Sequence, residues 1–543
     1  MAENQTNDGT VAMTSWQLNG QEVENPTGMT IMEAAKEHGI EIPCFCYHPG
    51  LSIAGNCRIC MVESNRSRKP VISCSEKIAD GLEIETESEL AVSSRNSVME
   101  FQLINHPLDC PVCDKAGECT LQDHSYEHGP DRSRFVEDKN IRHTKELGPN
   151  ISIWGNRCIV CTRCIRFCDE ISGTSELCIV ERGDRSVVDV FPEIPIDNQL
   201  AGNTVDICPV GALISHDFKY EARVWNMDRK DSVCGGCSRG CNVEVETLDG
   251  FVKRLMPREN LEVNDWWMCD EGRYGWRHLY ADDRLSQATR DGTALADDSA
   301  TAALEQLLSE SGPVAFLIDP FLTCEEMHLV QGLAASRPGS SVGGWLPEDG
   351  IAANFPSGFK ISAAKYPNRA GAEHIFGDQV FGNDATELQK ALVSSDFNTV
   401  VAFCGGHLSS GPGESWAKAL SSTPTSIIFS VKSGPWLEGA SLVLPATAPI
   451  EKDGTWINED GRLQRTRSCW NPGTEPFSVE LVRLQTLQNA LGIRGRSLSA
   501  AGIFRELAAN NDSFAGHNHS DLGSPGLLLS ERPAGIAMDG GSE

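Results

Sequence analysis

The chain carries 21 cysteines, and all but three lie at or before Cys269. That clustering constrains its fold more than any helix or strand pattern does. Disulfide scaffolds are as a rule short and secreted. This chain has 543 residues, and Met1 to Ser15 is polar and acidic, without the apolar stretch of a signal peptide. Clustered thiols in such a chain are expected to bind metal.

The thiols fall into four sets. The first is Cys46, Cys57, Cys60 and Cys74, a C-x10-C-x2-C-x13-C pattern with Cys44 as an extra neighbour. Gly50 and Gly55 allow tight turns in the loop. Three ligands from one loop and a distant fourth suit a [2Fe–2S] centre or zinc. The second set is His106, Cys110, Cys113 and Cys119, H-x3-C-x2-C-x5-C. A helical turn would bring His106 and Cys110 to one side. Three cysteines with one histidine fit structural zinc as well as a cluster. The third is Cys158, Cys161, Cys164 and a remote Cys208 followed by Pro209, the ferredoxin-like [4Fe–4S] spacing. The fourth is Cys234, Cys237, Cys241 and Cys269, again a compact triplet with a remote partner, for a [4Fe–4S] centre or zinc.

The sets support one another. Four zinc sites in series would need a structural reason, whereas four iron–sulfur centres in series conduct electrons by short hops. Such domains need no nucleophile or general base, so no catalytic residue is expected. Lys and Arg number 46 against 76 Asp and Glu, a net charge of −30. That balance excludes nucleic acid and an anionic lipid surface as direct partners. No run approaches the ~18 apolar residues of a membrane span.

Coarse reading gives six regions: 14–95, 96–135, 150–225, 230–286, 287–509 and a loose tail over 510–543. A hairpin is expected through Asn19-Gly20 and a helix from Ile31 to His38, stopped by Gly39. After about residue 290, helix-sized segments alternate with apolar strands such as Val314–Ile318 and Thr399–Phe403. That pattern predicts an α/β domain with a mainly parallel sheet. Gly405, Gly406, Gly411 and Gly413 read as a plain turn rather than a phosphate loop. Cys168, Cys178, Cys324, Cys404 and Cys469 read as ordinary thiols, and Trp266 and Trp267 as core aromatics. His517 to His519 reads as tail.

The stretches Ile42–Gly50 and Ala54–Glu63 resemble the NADH-quinone oxidoreductase family of large iron–sulfur subunits, the 75 kDa subunit of respiratory complex I in mitochondria. The resemblance continues through His106–Cys119, Arg157–Phe167, Asp206–Leu213 and Trp267–Arg273. Glu451–Arg462 looks like a segment shared with molybdopterin oxidoreductases. The resemblance implies a multidomain α+β and α/β chain. A β-grasp domain over 14–95 would hold a [2Fe–2S] cluster through Cys46, Cys57, Cys60 and Cys74. A domain over 96–135, with one histidine and three cysteines as ligands, would hold a [4Fe–4S] cluster. A ferredoxin-like domain over 150–225 would hold another. A molybdopterin-oxidoreductase-type domain over 230–286 would hold a third, off the main electron path. Residues 287–509 would be a truncated, degenerate molybdopterin-like α/β domain without bound molybdopterin.

The implied function is electron relay from an NADH-binding flavoprotein subunit, where NADH and FMN sit, towards quinone-reducing subunits. Implied partners are that flavoprotein and other peripheral-arm subunits, with the proton-translocating membrane arm reached indirectly. The implied location is the cytoplasmic face of the bacterial inner membrane. A soluble formate dehydrogenase and an NAD(P)-linked hydrogenase are the alternatives. The stretch after Cys269 is too short for a full molybdenum catalytic module. A zinc-stabilised scaffold is the distant third.

Overall fold

The computed structural model describes residues 12–406, 411–469, 479–494, 496 and 498–529. Two units follow from contacts along the chain: Met1–Met227 with Phe355–Ser357, and Asp228–Asn354 with Gly358–Glu543.

The first unit begins with a five-stranded mixed sheet. Its order is Gln21–Pro26, Met13–Leu18, Glu83–Glu85, Met61–Ser64, Ser67–Ile72. Met13–Leu18 and Glu83–Glu85 run parallel; the other neighbours are antiparallel. Asn19 and Gly20 both have positive φ (52° and 76°), as a two-residue hairpin requires. The helix Ile31–Glu37 starts with Thr30 and Glu33 capping each other's backbone, and Gly39 (φ 74°) follows its end. Trp16, Leu18, Ile31, Ala34, Val62 and Ile84 form the core between helix and sheet. This is a β-grasp arrangement.

Next come the helix Glu89–Leu103, a single turn Cys110–Val112 and the helix Thr120–His128. A three-stranded sheet follows, ordered Leu213–Ser215, Ile151–Trp154, Thr144–Glu146. Leu177–Val180 and Val187–Val190 make a separate hairpin.

The second unit opens with an antiparallel sheet of Asp228–Val233, Asn242–Leu248 and Phe251–Pro257. Beyond it lies a seven-stranded sheet. Its order is Thr293–Leu295, Ala288–Arg290, Leu442–Pro445, Thr425–Ser430, Thr399–Cys404, Val314–Ile318, Ser341–Gly344. The last five run parallel, and Ala288–Arg290 joins antiparallel at one side. Val314–Ile318 and Thr399–Cys404 are buried throughout, which is why they read as unbroken apolar runs. Helices Asp297–Ser309, Cys324–Ala335, Asn383–Val393 and Glu414–Ser421 alternate with the strands. The expected α/β sheet is present.

The tail differs from expectation. Residues 511–529 are packed. Phe514 and Leu522 are buried, and Leu527–Leu528 pairs with Arg462–Leu463. His519 Nε2 lies 2.7 Å from Glu325 Oε1. Two apolar anchors and a short strand pairing hold a segment whose polar composition suggested otherwise; residues 530–543 lie outside the described residues. Of the glycine loop, Gly405 N–H donates to Asp319 Oδ2 at 2.6 Å, while 407–410 lie outside the described residues.

Candidate metal centres

In the first set Cys46, Cys57, Cys60 and Cys74 are all buried, on the loop before the strand Met61–Ser64 and the turn after the strand Ser67–Ile72. The Cys46 and Cys57 thiols lie close enough to shift each other, as do those of Cys60 and Cys74. Each contact splits its pair. The Cys57 contact lowers Cys46 to about 5 while Cys57 is raised. The Cys74 contact lowers Cys60 to about 7 while Cys74 is raised. The amides of Cys57 and Asn56 also point at the Cys46 sulfur. Gly55 and Arg58 adopt positive φ to turn them there (59° and 64°). Cys44 stays outside both pairs: burial raises its thiol, and Arg163 opposes that rise.

In the second set burial is the main force raising Cys113, and it pushes Cys119 up to about 11; both thiols also feel Cys110. Amides of Lys115, and of Gln122 and Leu121, point at the Cys113 and Cys119 sulfurs respectively. The expected helical turn from His106 to Cys110 is absent. The preceding helix ends at Leu103, and only Cys110–Val112 turns again. Pro107 accounts for this, since a residue before proline is driven out of the helical region. Burial, then Arg157 and Lys139, lower His106 to about 4, so its imidazole is neutral, the form a metal needs.

Arg157 is the cation common to His106 and Cys113. It is almost fully buried, stacks 4.1 Å over Trp154 and donates to Asp109 at 3.1 Å. Arg223 clasps the Cys113 loop from the other side through the carbonyls of Cys113 (2.7 Å) and Pro111. Sequence reasoning passed over both arginines, since nothing in their local spacing marks them.

In the third set Cys158, Cys161, Cys164 and Cys208 line one small cavity with Ile153, Ile159 and Val210. Burial and mutual proximity push Cys158 up to about 11 and Cys161 to about 12. Cys164 rises further, for the same reasons. Val160 and Thr162 hold positive φ (53° and 67°), strained for β-branched residues. The reward is local: Val160 N–H donates to the Cys158 sulfur at 3.4 Å, and the Arg163 amide to Cys161. Cys168 is fully buried in the helical turn Phe167–Ser172, where burial and then Glu176 raise its thiol, and it contributes to the rise of Cys164.

The fourth set repeats this plan in the second unit. Cys234, Cys237, Cys241 and Cys269 line another small cavity with Gly236, Gly240, Met268 and Gly272. Burial raises all four thiols, Cys234 to about 12. Amides of Gly236, Arg239 and Gly272 point at Cys234, Cys237 and Cys269. A β-carbon on Gly272 would lie 2.9 Å from the Cys234 sulfur. Elsewhere, Cys178, Cys324 and Cys469 each have their own hydrogen-bond partner, and Cys404 is buried core.

The donor chemistry fits iron–sulfur groups. In the third and fourth sets, crowded thiols that resist ionisation because of burial and each other are the arrangement a bound cation reverses, since coordination deprotonates sulfur. Amides aimed at the sulfurs then stabilise the thiolates.

Family models match in the same order. A 2Fe-2S iron-sulfur cluster binding domain matches residues 12–89, and an NADH-ubiquinone oxidoreductase-G iron-sulfur binding region 95–134. An NADH-quinone oxidoreductase subunit 3 ferredoxin-like domain matches 148–214, and a molybdopterin oxidoreductase Fe4S4 domain 227–281. These domains imply one [2Fe–2S] site and up to three [4Fe–4S] sites.

The chain is 42% identical over 262 residues to a subunit of the NADH-quinone oxidoreductase of Rickettsia felis, covering 48% of this chain and 39% of that protein. It is 43% identical over 257 residues to NADH dehydrogenase [ubiquinone] iron-sulfur protein 1, mitochondrial, of Solanum tuberosum, covering 47% and 35%. It is 37% identical over 380 residues to the mitochondrial NADH-ubiquinone oxidoreductase 78 kDa subunit of Neurospora crassa, covering 68% and 50%. The matches thus span half or less of each relative's length. A chain from a crystal structure of NAD+-reducing [NiFe]-hydrogenase in the H2-reduced state is 31% identical, covering 39% of this chain and 92% of that chain, with a TM-score of 0.36.

Proposed function

From its homology to the iron–sulfur subunits of NADH-quinone oxidoreductase, we propose that this chain is the electron-relay subunit of a proton-translocating NADH:quinone oxidoreductase. One observation carries the proposal: four cysteine-rich donor sets, in the order of the four matched family models, each fall within one matched span. On this reading Cys46, Cys57, Cys60 and Cys74 hold a [2Fe–2S] cluster. His106, Cys110, Cys113 and Cys119 hold a [4Fe–4S] cluster, and Cys158, Cys161, Cys164 and Cys208 a second. Cys234, Cys237, Cys241 and Cys269 hold a third. Bound clusters supply one-electron carriers whose potentials follow charge, hydrogen bonding and exposure.

The chain's own residues set those conditions. Most of the cysteines are buried and keep water from their sulfurs, while Cys110 is exposed. The amides of Asn56, Lys115, Val160 and Gly236 offset thiolate charge. Arg157 places a buried cation beside His106 and Cys113, which favours the reduced, more negative state there.

The proposed partners are an NADH-binding flavoprotein subunit carrying FMN, other peripheral-arm subunits and, indirectly, a membrane arm. The proposed location is the cytoplasmic face of a bacterial inner membrane. Among the described residues no helix is long and apolar enough to cross a membrane.

The test is iron, acid-labile sulfide and zinc per chain in anaerobically purified protein, with low-temperature magnetic resonance of the reduced sample. One [2Fe–2S] and three [4Fe–4S] clusters need about fourteen iron atoms. A zinc-filled chain without sulfide rejects the relay. Purification from native membranes should recover a flavoprotein and proton-channel subunits; hydrogenase or formate dehydrogenase subunits in their place reject the complex.

A further inference from the structure

The helix Thr120–His128 carries a constellation that the four cysteine sets leave unused. His124, Glu127 and His128 are spaced i, i+3 and i+4, so one face of the helix presents all three. Their ligand atoms lie within 4.8 Å of one another. Glu127 Oε2 is 3.8 Å from His124 Nδ1 and 3.7 Å from His128 Nε2.

His124 is set up as a ligand. Its Nδ1 is buried and makes no hydrogen bond, and the Cys44 carbonyl lies near the ring. A ring nitrogen that is buried and unpaired is available to a metal. The Phe45 ring, with its centroid 5.3 Å away, supports the imidazole. Burial lowers both histidines, towards the neutral form that a metal needs. The cation near His128 is Arg95, and it is engaged by Glu87 at 2.9 Å and by the Thr86 carbonyl.

The three residues line a cavity of about 790 Å³ that also exposes Glu33, Glu37 and Glu41 against Lys36 and Arg163. The carboxylates favour a cation there. Zinc bonds of about 2.0–2.2 Å put neighbouring ligand atoms about 3.3–3.5 Å apart in a tetrahedral site. Small side-chain rotations close the remaining few tenths of an ångström to Glu127.

We propose that His124, Glu127 and His128 bind a divalent transition-metal ion of the zinc class, with a fourth position open to the cavity. The set is two imidazoles and a carboxylate, the composition of open rather than closed zinc sites.

The test uses the full chain loaded with its iron–sulfur clusters, because zinc also competes for cysteine. Zinc binding is measured by equilibrium dialysis against a competing chelator, with iron and sulfide counted before and after. One zinc per chain, bound without loss of iron, is expected. Glu127→Gln and His128→Gln, the more exposed members, are expected to weaken it at least about tenfold each with iron content unchanged. His124→Asn is read alongside them, accepted only where its iron content matches the native chain. No stoichiometric uptake by the native chain, or equal affinity in Glu127→Gln and His128→Gln, overturns the proposal.

Discussion

Gly211 presses against the sulfur of Cys113: a β-carbon built on Gly211 would lie 2.1 Å from that Sγ. Gly211 follows Cys208 by three residues, so the closing segment of the third set is also the wall of the second. The requirement is steric, since no side chain can occupy the gap. Gly211→Ala is expected to displace Cys113 and to cost about 1–3 kcal/mol by overpacking. The readout is iron content and the reduced magnetic spectrum. An alanine variant with the full iron complement and native spectra would show that the loop yields without consequence.

Cys44 and Cys46 are two residues apart but differently placed. Cys46 pairs with Cys57 and receives backbone amides, whereas Cys44 does neither. Cys46→Ala is expected to abolish the [2Fe–2S] signal, and Cys44→Ala to keep it. The reverse pattern would reassign the ligand.

His106→Cys replaces a neutral donor by a charged one. The cluster is expected to survive with a lower potential, because added negative charge disfavours reduction. Spectra and potential identical to the native chain would remove His106 from the ligand set.

Cys241→Ala should cost the fourth cluster alone. Cys241 senses Cys234, Cys237 and Cys269, and these four line their own cavity. Iron is expected to fall from about fourteen to about ten atoms per chain while the other three signals persist. Loss of all four signals in a folded variant would contradict the independence of this centre.

Asp319 links stability to pH. It accepts hydrogen bonds from the amides of Phe321 (2.9 Å), Leu322 (3.1 Å) and Gly405, at the end of the strand Val314–Ile318. Burial raises its carboxyl from 3.8 to about 7, against the pull of Lys452. Burial raises Glu326 in the same direction. A carboxyl whose folded pKa is raised binds its proton more tightly in the folded state. Its contribution is fully present below the unfolded value of about 4 and is lost as pH rises through about 7. Stability measured by urea unfolding with tryptophan fluorescence is therefore expected to fall between about pH 4 and pH 7 from these groups. Asp319→Asn is expected to flatten that slope; an unchanged slope would exclude Asp319 as its source.

Much of the architecture was legible in local signals. The hairpin at Asn19-Gly20, the helix from Ile31 and the alternation around Val314–Ile318 rest on a turn pair, a cap with a glycine stop, and an apolar run. The misreadings were of two kinds. Pro107 broke a helical turn that spacing alone suggested between His106 and Cys110. Residues 511–529 looked loose because their composition is polar, yet Phe514, Leu522 and a two-residue strand anchor them. The His124, Glu127 and His128 spacing was readable, but three more conspicuous cysteines beside it drew the assignment first.

By itself, the sequence determined the number, order and kind of sulfur donors, because compact Cys-x2-Cys runs present their thiols from one short loop wherever that loop lies. It also determined the strand–helix alternation, because periodicity and capping act within a few residues. Tertiary structure alone decided that Gly211 abuts Cys113, that Arg157 sits beside both His106 and Cys113, and that Cys44 stands apart from Cys46. Those relationships join residues far apart in the chain, or separate near neighbours. They follow from how backbones pack and which buried groups must be satisfied, and no local spacing encodes either.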